Sequence, residues 1–237
     1  MNNYHRFLNL PFSVKNPTIL KITDNIDGQV EECAYGLSEC QNRCEFGSIT
    51  SCYKNTFFES LKEDLKDNAK NVKNFLDKFG LFFDNPLYFW TKANDKLHMH
   101  VDNNKEFSYY DGTNDLKDFF DNHVKINFTW GSSDSKMQWW HCEEKDIKIS
   151  DKKDKNGDVW VTPFANEEDC NLVFEETISR PSLVNGGTLH SVINPSKTKN
   201  RLTQSFNIVS KSNFESIKFN EACEIFKEYV LLIMRER

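Results

Sequence analysis

The chain has 237 residues, with 30 lysines and arginines, 36 aspartates and glutamates and a net charge of −6. This length predicts a single domain with one sizeable core, and the aromatic share of 14% argues against disorder. The longest apolar runs are far shorter than the roughly 20 residues of a membrane-spanning helix, which excludes a transmembrane protein. The acidic balance disfavours a nucleic-acid partner, because such proteins usually carry a basic surface.

The N-terminal residues MNNYHRFLNLPF lack the charged and apolar regions of a secretory signal, so we expect a cytoplasmic protein, of a cell or of an infected host. Four of the seven cysteines lie between Cys33 and Cys52 with the spacing C-x6-C-x3-C-x7-C. This spacing lacks the closely paired cysteines of a zinc site. We therefore expect reduced thiols, with a structural metal or a disulfide in this segment as the alternative.

The N-terminal third predicts edge strands, a loop and a helix, in that order. Residues 1–30 contain short apolar pieces that favour strands at the edge of a sheet, and residues 31–53 favour an irregular loop. From Asn55 to Phe79 the apolar residues recur every three or four positions, which predicts an amphipathic helix. Gly80 suits the C-terminal cap of that helix.

From Leu87 to Val209 the pattern predicts eight to ten short strands. The strand candidates are LYFW, KLHMHV, VKINFTW, MQWW, VWVTPF, LVFEE, SLVNGG, LHSVIN and RLTQSFNIV. Residues 113–122 favour a short helix or a long turn, and the charged residues 143–157 favour a solvated hairpin. Residues 214–235 predict a closing amphipathic helix.

This order of elements predicts a mainly β fold with flanking helices, either a sandwich or a barrel, of which the jelly roll is one form. We expect a single domain over residues 1–237. Within it, residues 1–84 form N-terminal strands and a helix, 85–210 form the core, and 211–237 form a C-terminal helix.

The segment LHMHVDN at 97–103 places two histidines and an aspartate at alternate positions. In a strand, His98, His100 and Asp102 would project from the same face. Such groups are costly in an apolar interior unless they are paired or bind a metal.

His190 lies 88 residues after Asp102, in LVNGGTLHSVINP. With His100 and Asp102 it would complete a set of two imidazoles and one carboxylate, which suits Fe(II) and leaves coordination positions open for O2. Taken alone, His190 also fits a hydrogen-bonded histidine at a strand turn.

Arg201 stands at the start of a predicted strand, RLTQSFNIV. Strand alternation places Arg201, Thr203, Ser205 and Asn207 on one face, and Leu202, Gln204 and Phe206 on the other. An inward arginine beside a hydroxyl can bind a carboxylate in a bidentate manner. The alternative is a surface arginine on an edge strand.

The motif H-x-D, the distal histidine and, after ten intervening residues, the motif Arg-x-Thr together resemble the Fe(II)- and 2-oxoglutarate-dependent oxygenases. The resemblance covers about residues 85–210 and is most specific in PSLVNGGTLHSVINPSKTKNRLTQSFNI. The sequence also resembles uncharacterised members of that family from phages and large viruses.

The resemblance implies a double-stranded β-helix, which is a cupin-like jelly roll, with Fe(II) bound by His100, Asp102 and His190. It implies that 2-oxoglutarate chelates the iron and places its distal carboxylate on Arg201. The residues implied to assist are Thr203, Ser205 and Asn127. The implied activity is that of a dioxygenase that uses O2 to hydroxylate a C–H bond and releases succinate and CO2. The substrate is left open between a small molecule and a side chain, and no oligomeric state is indicated.

Two other functions stay open on the residues alone. If His98 and His100 were the ligand pair, the site would resemble a cupin-type metal isomerase or hydrolase. If the triad were degenerate, the protein would be a non-catalytic jelly-roll binding protein. Trp139 and Trp140 alternate in direction, so we expect one in the core and one near the mouth of the site. We expect His123 and His141 at the rim or on the surface.

Overall fold

The structure is a computed structural model, and it describes residues 3–18, 48–50, 61–83, 86–102, 120–153 and 159–231. Most of the predicted loop at 31–53 and most of the segment 113–122 lie outside these ranges. The cysteines between Cys33 and Cys52 also lie outside them, so the expectation about their chemistry stays a prediction.

Within the described ranges the chain forms two bounded α-helices, α1 (Lys66–Asp77) and α2 (Phe219–Ile225), and thirteen β-strands. The strands are β1 (His5–Phe7), β2 (Ser48–Thr50), β3 (Leu81–Phe83), β4 (Leu87–Thr91), β5 (Asp95–His100), β6 (Val124–Gly131), β7 (Lys136–Cys142), β8 (Lys148–Lys153), β9 (Val159–Phe164), β10 (Cys170–Glu176), β11 (Ser182–Asn185), β12 (His190–Asn194) and β13 (Arg201–Ser210).

The strands form two antiparallel sheets that face each other. The seven-stranded sheet has the order β1-β11-β6-β13-β4-β2, with β3 also paired to β13, and the six-stranded sheet has the order β10-β7-β12-β5-β9-β8. Trp139 on β7 joins them, because its indole donates a hydrogen bond to the Asn185 carbonyl at the end of β11. This arrangement confirms the predicted mainly β, jelly-roll class.

The outer face of the seven-stranded sheet packs against both helices. Val72, Phe75 and Leu76 of α1 belong to the same buried cluster as Ile126 of β6 and Phe206 of β13. The three-to-four-residue spacing of the apolar positions in α1 places them on one side of the helix, as the sequence predicts. This cluster is the main apolar core of the described residues.

The inner face of β13 differs from its outer face in polarity. Phe206 lies in the apolar cluster with the helices, and Gln204 donates a hydrogen bond to the Tyr88 hydroxyl. Arg201, Thr203 and Ser205 occupy the alternate positions and are all buried. The predicted alternation of this strand is therefore correct, and the inner face carries polar groups between the two sheets.

Both helices are shorter than the apolar periodicity predicts within the described residues. Residues 61–64 are helical, a turn follows at Leu65, and α1 ends near Gly80, whose φ of 70° suits a helix terminus. The C-terminal helix, expected over 214–235, ends at Ile225 because the following backbone pairs with the N-terminal segment at Leu8. No described helix has the length and apolarity needed to cross a bilayer.

The charged stretch 143–157 contains a strand that the sequence analysis did not identify. Residues Lys148–Lys153 form β8, which pairs with β9 over its whole length at the edge of the six-stranded sheet. The sequence predicts a solvated hairpin here, and its list of strand candidates does not include Lys148–Lys153. Charged side chains are common on edge strands because they discourage pairing with other chains.

We predict that Phe75→Ala lowers the free energy of unfolding by about 3–5 kcal/mol, because Phe75 is 2% exposed and lies in the main core. Chemical denaturation followed by circular dichroism measures the change. Phe214→Ala is the matched control, since Phe214 is 76% exposed, and we expect a change within about 0.5 kcal/mol. Equal losses from both substitutions would contradict the position of the core.

Candidate metal centre

Two neighbouring side chains at the end of β5 and one distant in sequence, at the start of β12, meet in the structure. His100 is the last residue of β5, Asp102 follows two residues later, and His190 is the first residue of β12. These strands are antiparallel neighbours in which His190 lies directly opposite His100. The structure therefore brings together the three residues that the sequence analysis selected.

The ligand atoms of these three residues all lie within 4.8 Å of one another. His100 Nε2 is 3.4 Å from Asp102 Oδ1, and His190 Nε2 is 3.5 Å from Asp102 Oδ2. Ligand atoms at adjacent corners of a six-coordinate ion are about 3 Å apart when each bond is about 2.1 Å. Small side-chain adjustments suffice to bind a divalent ion, so the donor set fits a metal.

The hydrogen bonding of His190 fixes its tautomer and leaves Nε2 free to bind a metal. Its Nδ1 lies 2.8 Å from the Thr188 carbonyl oxygen, which can only accept, so Nδ1 carries the proton. Nε2 then presents its lone pair to the site. Burial lowers the pKa of His190 to about 3, against the opposing charge of Asp102, so the imidazole is neutral at neutral pH.

Asp102 is the anionic member of the group. Burial alone would raise the pKa of this carboxyl, but the positive charge of Lys125, together with the hydrogen bond from His100, outweighs burial and holds its pKa well below the usual range. Lys125 Nζ is 2.7 Å from Asp102 Oδ2. Asp102 is therefore ionised, as a metal ligand must be.

The strand carrying His100 has a β-bulge next to the site. His190 pairs with His100, but Val192, two residues later, pairs with Leu97, so β5 contains one extra residue here. The simple alternation that would place His98 on the same face as His100 is therefore interrupted. The His98 side chain lies outside the described part of the structure, and the ligand pair His98–His100 gains no support from the strand geometry.

The loop between β11 and β12 contacts the site closely through Gly186. Its carbonyl accepts a hydrogen bond from the Asp102 backbone N–H at 3.0 Å. A Cβ atom at this position would lie 2.8 Å from Asp102 Oδ2 and 3.0 Å from His123 Nε2. Only glycine allows the loop to support Asp102 at this distance.

His123 is buried, contrary to the expectation that it lies at the rim or on the surface. It is 1% exposed, and its Nδ1 is 2.5 Å from Asp121 Oδ1. Asp121 compensates the imidazole inside the protein, which the sequence analysis missed because the pair D-x-H was not considered. His141, in contrast, is exposed as expected.

Arg201 lies on the inner face of the seven-stranded sheet, on the same face of the paired strands as Lys125. It is 3% exposed, which excludes the alternative of a surface arginine. No hydrogen bond or ion pair joins its guanidinium to any described residue, and burial alone lowers its pKa to about 10. A buried cation without a partner is costly and suits a receptor for an anion.

Hydroxyl and amide groups follow Arg201 along the inner face of the sheet. Thr203 Oγ1 is 3.0 Å from Thr129 Oγ1, and Ser205 Oγ donates a hydrogen bond of 2.6 Å to Asn127 Oδ1. Thr91 lies directly opposite Arg201 on β4, and its buried hydroxyl has no partner among the described residues. The sequence analysis missed Thr91, because only the strand register reveals its position.

The two tryptophans of β7 have different surroundings, as their alternation predicts. Trp139 is 0% exposed and packs in a tilted geometry against the rings of Tyr4 and Phe174. Trp140 is half-buried and lines a cavity of about 340 Å³ with Leu189.

Comparisons with known proteins find no matching family model and no similar curated protein. Among solved structures, the chain is similar to an oxalate oxidase in complex with glycolate (9% identity, 87% of this chain and 77% of that chain, TM-score 0.27). It is also similar to a Pseudomonas putida prolyl-4-hydroxylase (8% identity, 71% and 81%, TM-score 0.29). A third is Peruvianin-I, a cysteine peptidase from Thevetia peruviana latex (8% identity, 85% and 87%, TM-score 0.25). Similarities this weak carry no argument about activity.

We predict that Gly186→Ala weakens metal binding about 10- to 100-fold, because the added methyl group displaces Asp102 from its position. Titration with Mn(II) by isothermal calorimetry measures the dissociation constant. Gly80→Ala is the control: Gly80 has open space around its Cβ position, so this variant loses only about 1 kcal/mol of stability, through its positive φ, and keeps its metal affinity. Unchanged Mn(II) affinity in Gly186→Ala would contradict the role of this contact.

Proposed function

We propose that the protein is an Fe(II)- and 2-oxoglutarate-dependent dioxygenase that hydroxylates a C–H bond of its substrate. His100, Asp102 and His190 would hold Fe(II), and Arg201 would bind the distal carboxylate of 2-oxoglutarate. When both are bound, the iron and the keto acid supply O2 activation, with succinate and CO2 as products. The remaining tasks belong to the protein: to orient these groups and to exclude water.

The observation that carries the proposal is the buried guanidinium of Arg201, without a partner among the described residues, on the face of the seven-stranded sheet that also carries Lys125, the partner of Asp102. A metal site alone fits many activities. A metal site in an interior that also holds an unpaired cation favours a ligand with two functional ends, one that chelates the metal and one that is a carboxylate.

The strand register gives the separation of the two groups along the sheet. Lys125 contacts Asp102, and Gly131, directly opposite Arg201, lies six residues further along β6. Six strand residues span about 20 Å. In this proposal the side chains of Lys125 and Arg201, with the co-substrate between them, would bridge that separation.

The residues near Arg201 have supporting roles in this proposal. Thr91 would offer a hydroxyl group to the carboxylate from the position directly opposite Arg201 on β4, and Thr203 would offer one from the next inward position of β13. Ser205 and Asn127 bond to each other and would form the wall of the co-substrate pocket between Arg201 and the metal. Gly131, opposite Arg201, lies so close to the neighbouring backbone that a Cβ there would clash with the Asn200 carbonyl oxygen.

We predict that Arg201→Gln weakens 2-oxoglutarate binding at least about 100-fold, because a bidentate, buried charge pair is lost. Metal binding should stay intact. Anaerobic calorimetry with the Fe(II)-loaded protein measures both constants. Arg180→Gln is the matched control, since Arg180 is exposed. The same Arg201 variant should be no less stable than the wild type without ligand, because it removes an unpaired buried charge.

Unchanged 2-oxoglutarate affinity in Arg201→Gln would refute the receptor. A second measurement tests the chelate itself: Fe(II) and 2-oxoglutarate without O2 should give a weak visible charge-transfer band, and His190→Ala should abolish it. If the wild type gives no band, a metal isomerase or hydrolase or a non-catalytic binding protein fits better. Succinate formation screened across small molecules and peptides would then identify the substrate.

A further inference from the structure

Lys125 is a buried lysine that the proposed reaction does not use. It lies on the inner face of β6 and is 3% exposed, and its Nζ is 2.7 Å from Asp102 Oδ2. Its ammonium group also lies 5.8 Å from the centre of the Phe89 ring. Burial of an ammonium is costly unless a partner compensates it, and Asp102 is that partner.

The contact leaves the two oxygens of Asp102 in different situations. Oδ2 is held by Lys125 and faces His190, whereas Oδ1 faces His100 at 3.4 Å. Lys125 thus fixes the rotation of the carboxylate and leaves one oxygen available. Its positive charge also partly neutralises the carboxylate charge that would attract a metal ion.

The balance of charge in the site changes when a metal binds. Without metal, the charge of Lys125 cancels that of Asp102, and His190 is neutral. A divalent ion among these ligands would leave two uncompensated positive charges next to each other in a buried site. The positive charge of Lys125 also acts on His190: burial lowers the pKa of that imidazole, and the ammonium lowers it further by a smaller amount.

We propose that Lys125 is the counter-ion of the metal-free site and that it makes metal binding depend on a dianionic co-substrate. The metal alone binds weakly, because it shares Asp102 with an ammonium at close range. A dianion that chelates the metal cancels the excess positive charge, so each ligand strengthens the binding of the other. This inference rests on the proposed function for the identity of the dianion, 2-oxoglutarate.

The test is a thermodynamic cycle with Mn(II) as the metal. Its dissociation constant is measured for the wild type, Lys125→Gln and Lys125→Arg, each with and without saturating 2-oxoglutarate, under anaerobic conditions. We expect Lys125→Gln to bind Mn(II) alone at least about tenfold more tightly than the wild type. The gain in Mn(II) affinity that 2-oxoglutarate produces should be smaller in this variant, and Lys125→Arg should behave like the wild type because it keeps the charge.

Several outcomes would overturn the inference. A merely structural lysine would make Lys125→Gln bind Mn(II) alone equally or more weakly. A direct anion receptor would make the variant lose 2-oxoglutarate affinity with no change in Mn(II) affinity. A wild-type protein that binds Mn(II) but not 2-oxoglutarate would refute the proposed function, while the comparison of Mn(II) affinities would still decide the role of Lys125 as counter-ion.

Loss of Lys125 leaves Asp102 buried without its partner, so the metal-free variant is expected to be less stable. The thermal unfolding temperature of each variant is therefore measured with and without Mn(II). If the inference holds, Mn(II) replaces the missing cation and raises the unfolding temperature of Lys125→Gln more than that of the wild type. A variant that does not fold even with Mn(II) would overturn it.

Discussion

The ion pair between Lys125 and Asp102 joins the two sheets across the interior of the molecule. Lys125 belongs to the seven-stranded sheet, and Asp102 follows a strand of the six-stranded sheet. A carboxylate in this position is stable only with compensating charge, and removal of one partner from such a pair typically costs about 3–5 kcal/mol. The geometry of the triad therefore depends on a lysine that binds no metal itself.

The two faces of the seven-stranded sheet have different physical roles: one stabilises the fold and the other carries the polar groups of the candidate site. The outer face packs large apolar side chains against α1 and α2, and this burial stabilises the fold. The inner face holds Lys125, Arg201 and a row of hydroxyl and amide groups. Since the apolar core lies on the other side of the sheet, the interior between the sheets can keep polar groups that would weaken a smaller protein.

Much of this arrangement could be predicted from the sequence. The alternation of RLTQSFNIV correctly separates Arg201 from Phe206, and the motif H-x-D with a distal histidine selects three side chains that meet in space. These predictions work because strand period and ligand chemistry are local properties. The role of each of these residues in binding iron or 2-oxoglutarate stays a prediction.

Other features depend on contacts that are distant in sequence. Lys125 resembles an ordinary strand lysine until its register with β13 places it on the inner face, opposite Asn207. His123 resembles a surface histidine until Asp121 is seen beside it. The C-terminal helix ends early because its backbone finds partners near Leu8, more than two hundred residues away in sequence. No periodicity within a segment carries such information.

The sequence separation between His190 and the pair His100 and Asp102 has a consequence for folding. An unfolded chain holds His190 far from the other two residues, so the three side chains meet only after the strands that carry them have paired. Sheets built from such non-local pairings fold slowly, and a metal that needs all three ligands would bind only after this step. Such an ion would act by mass action on the native state alone, and its supply would influence how many copies of the protein persist.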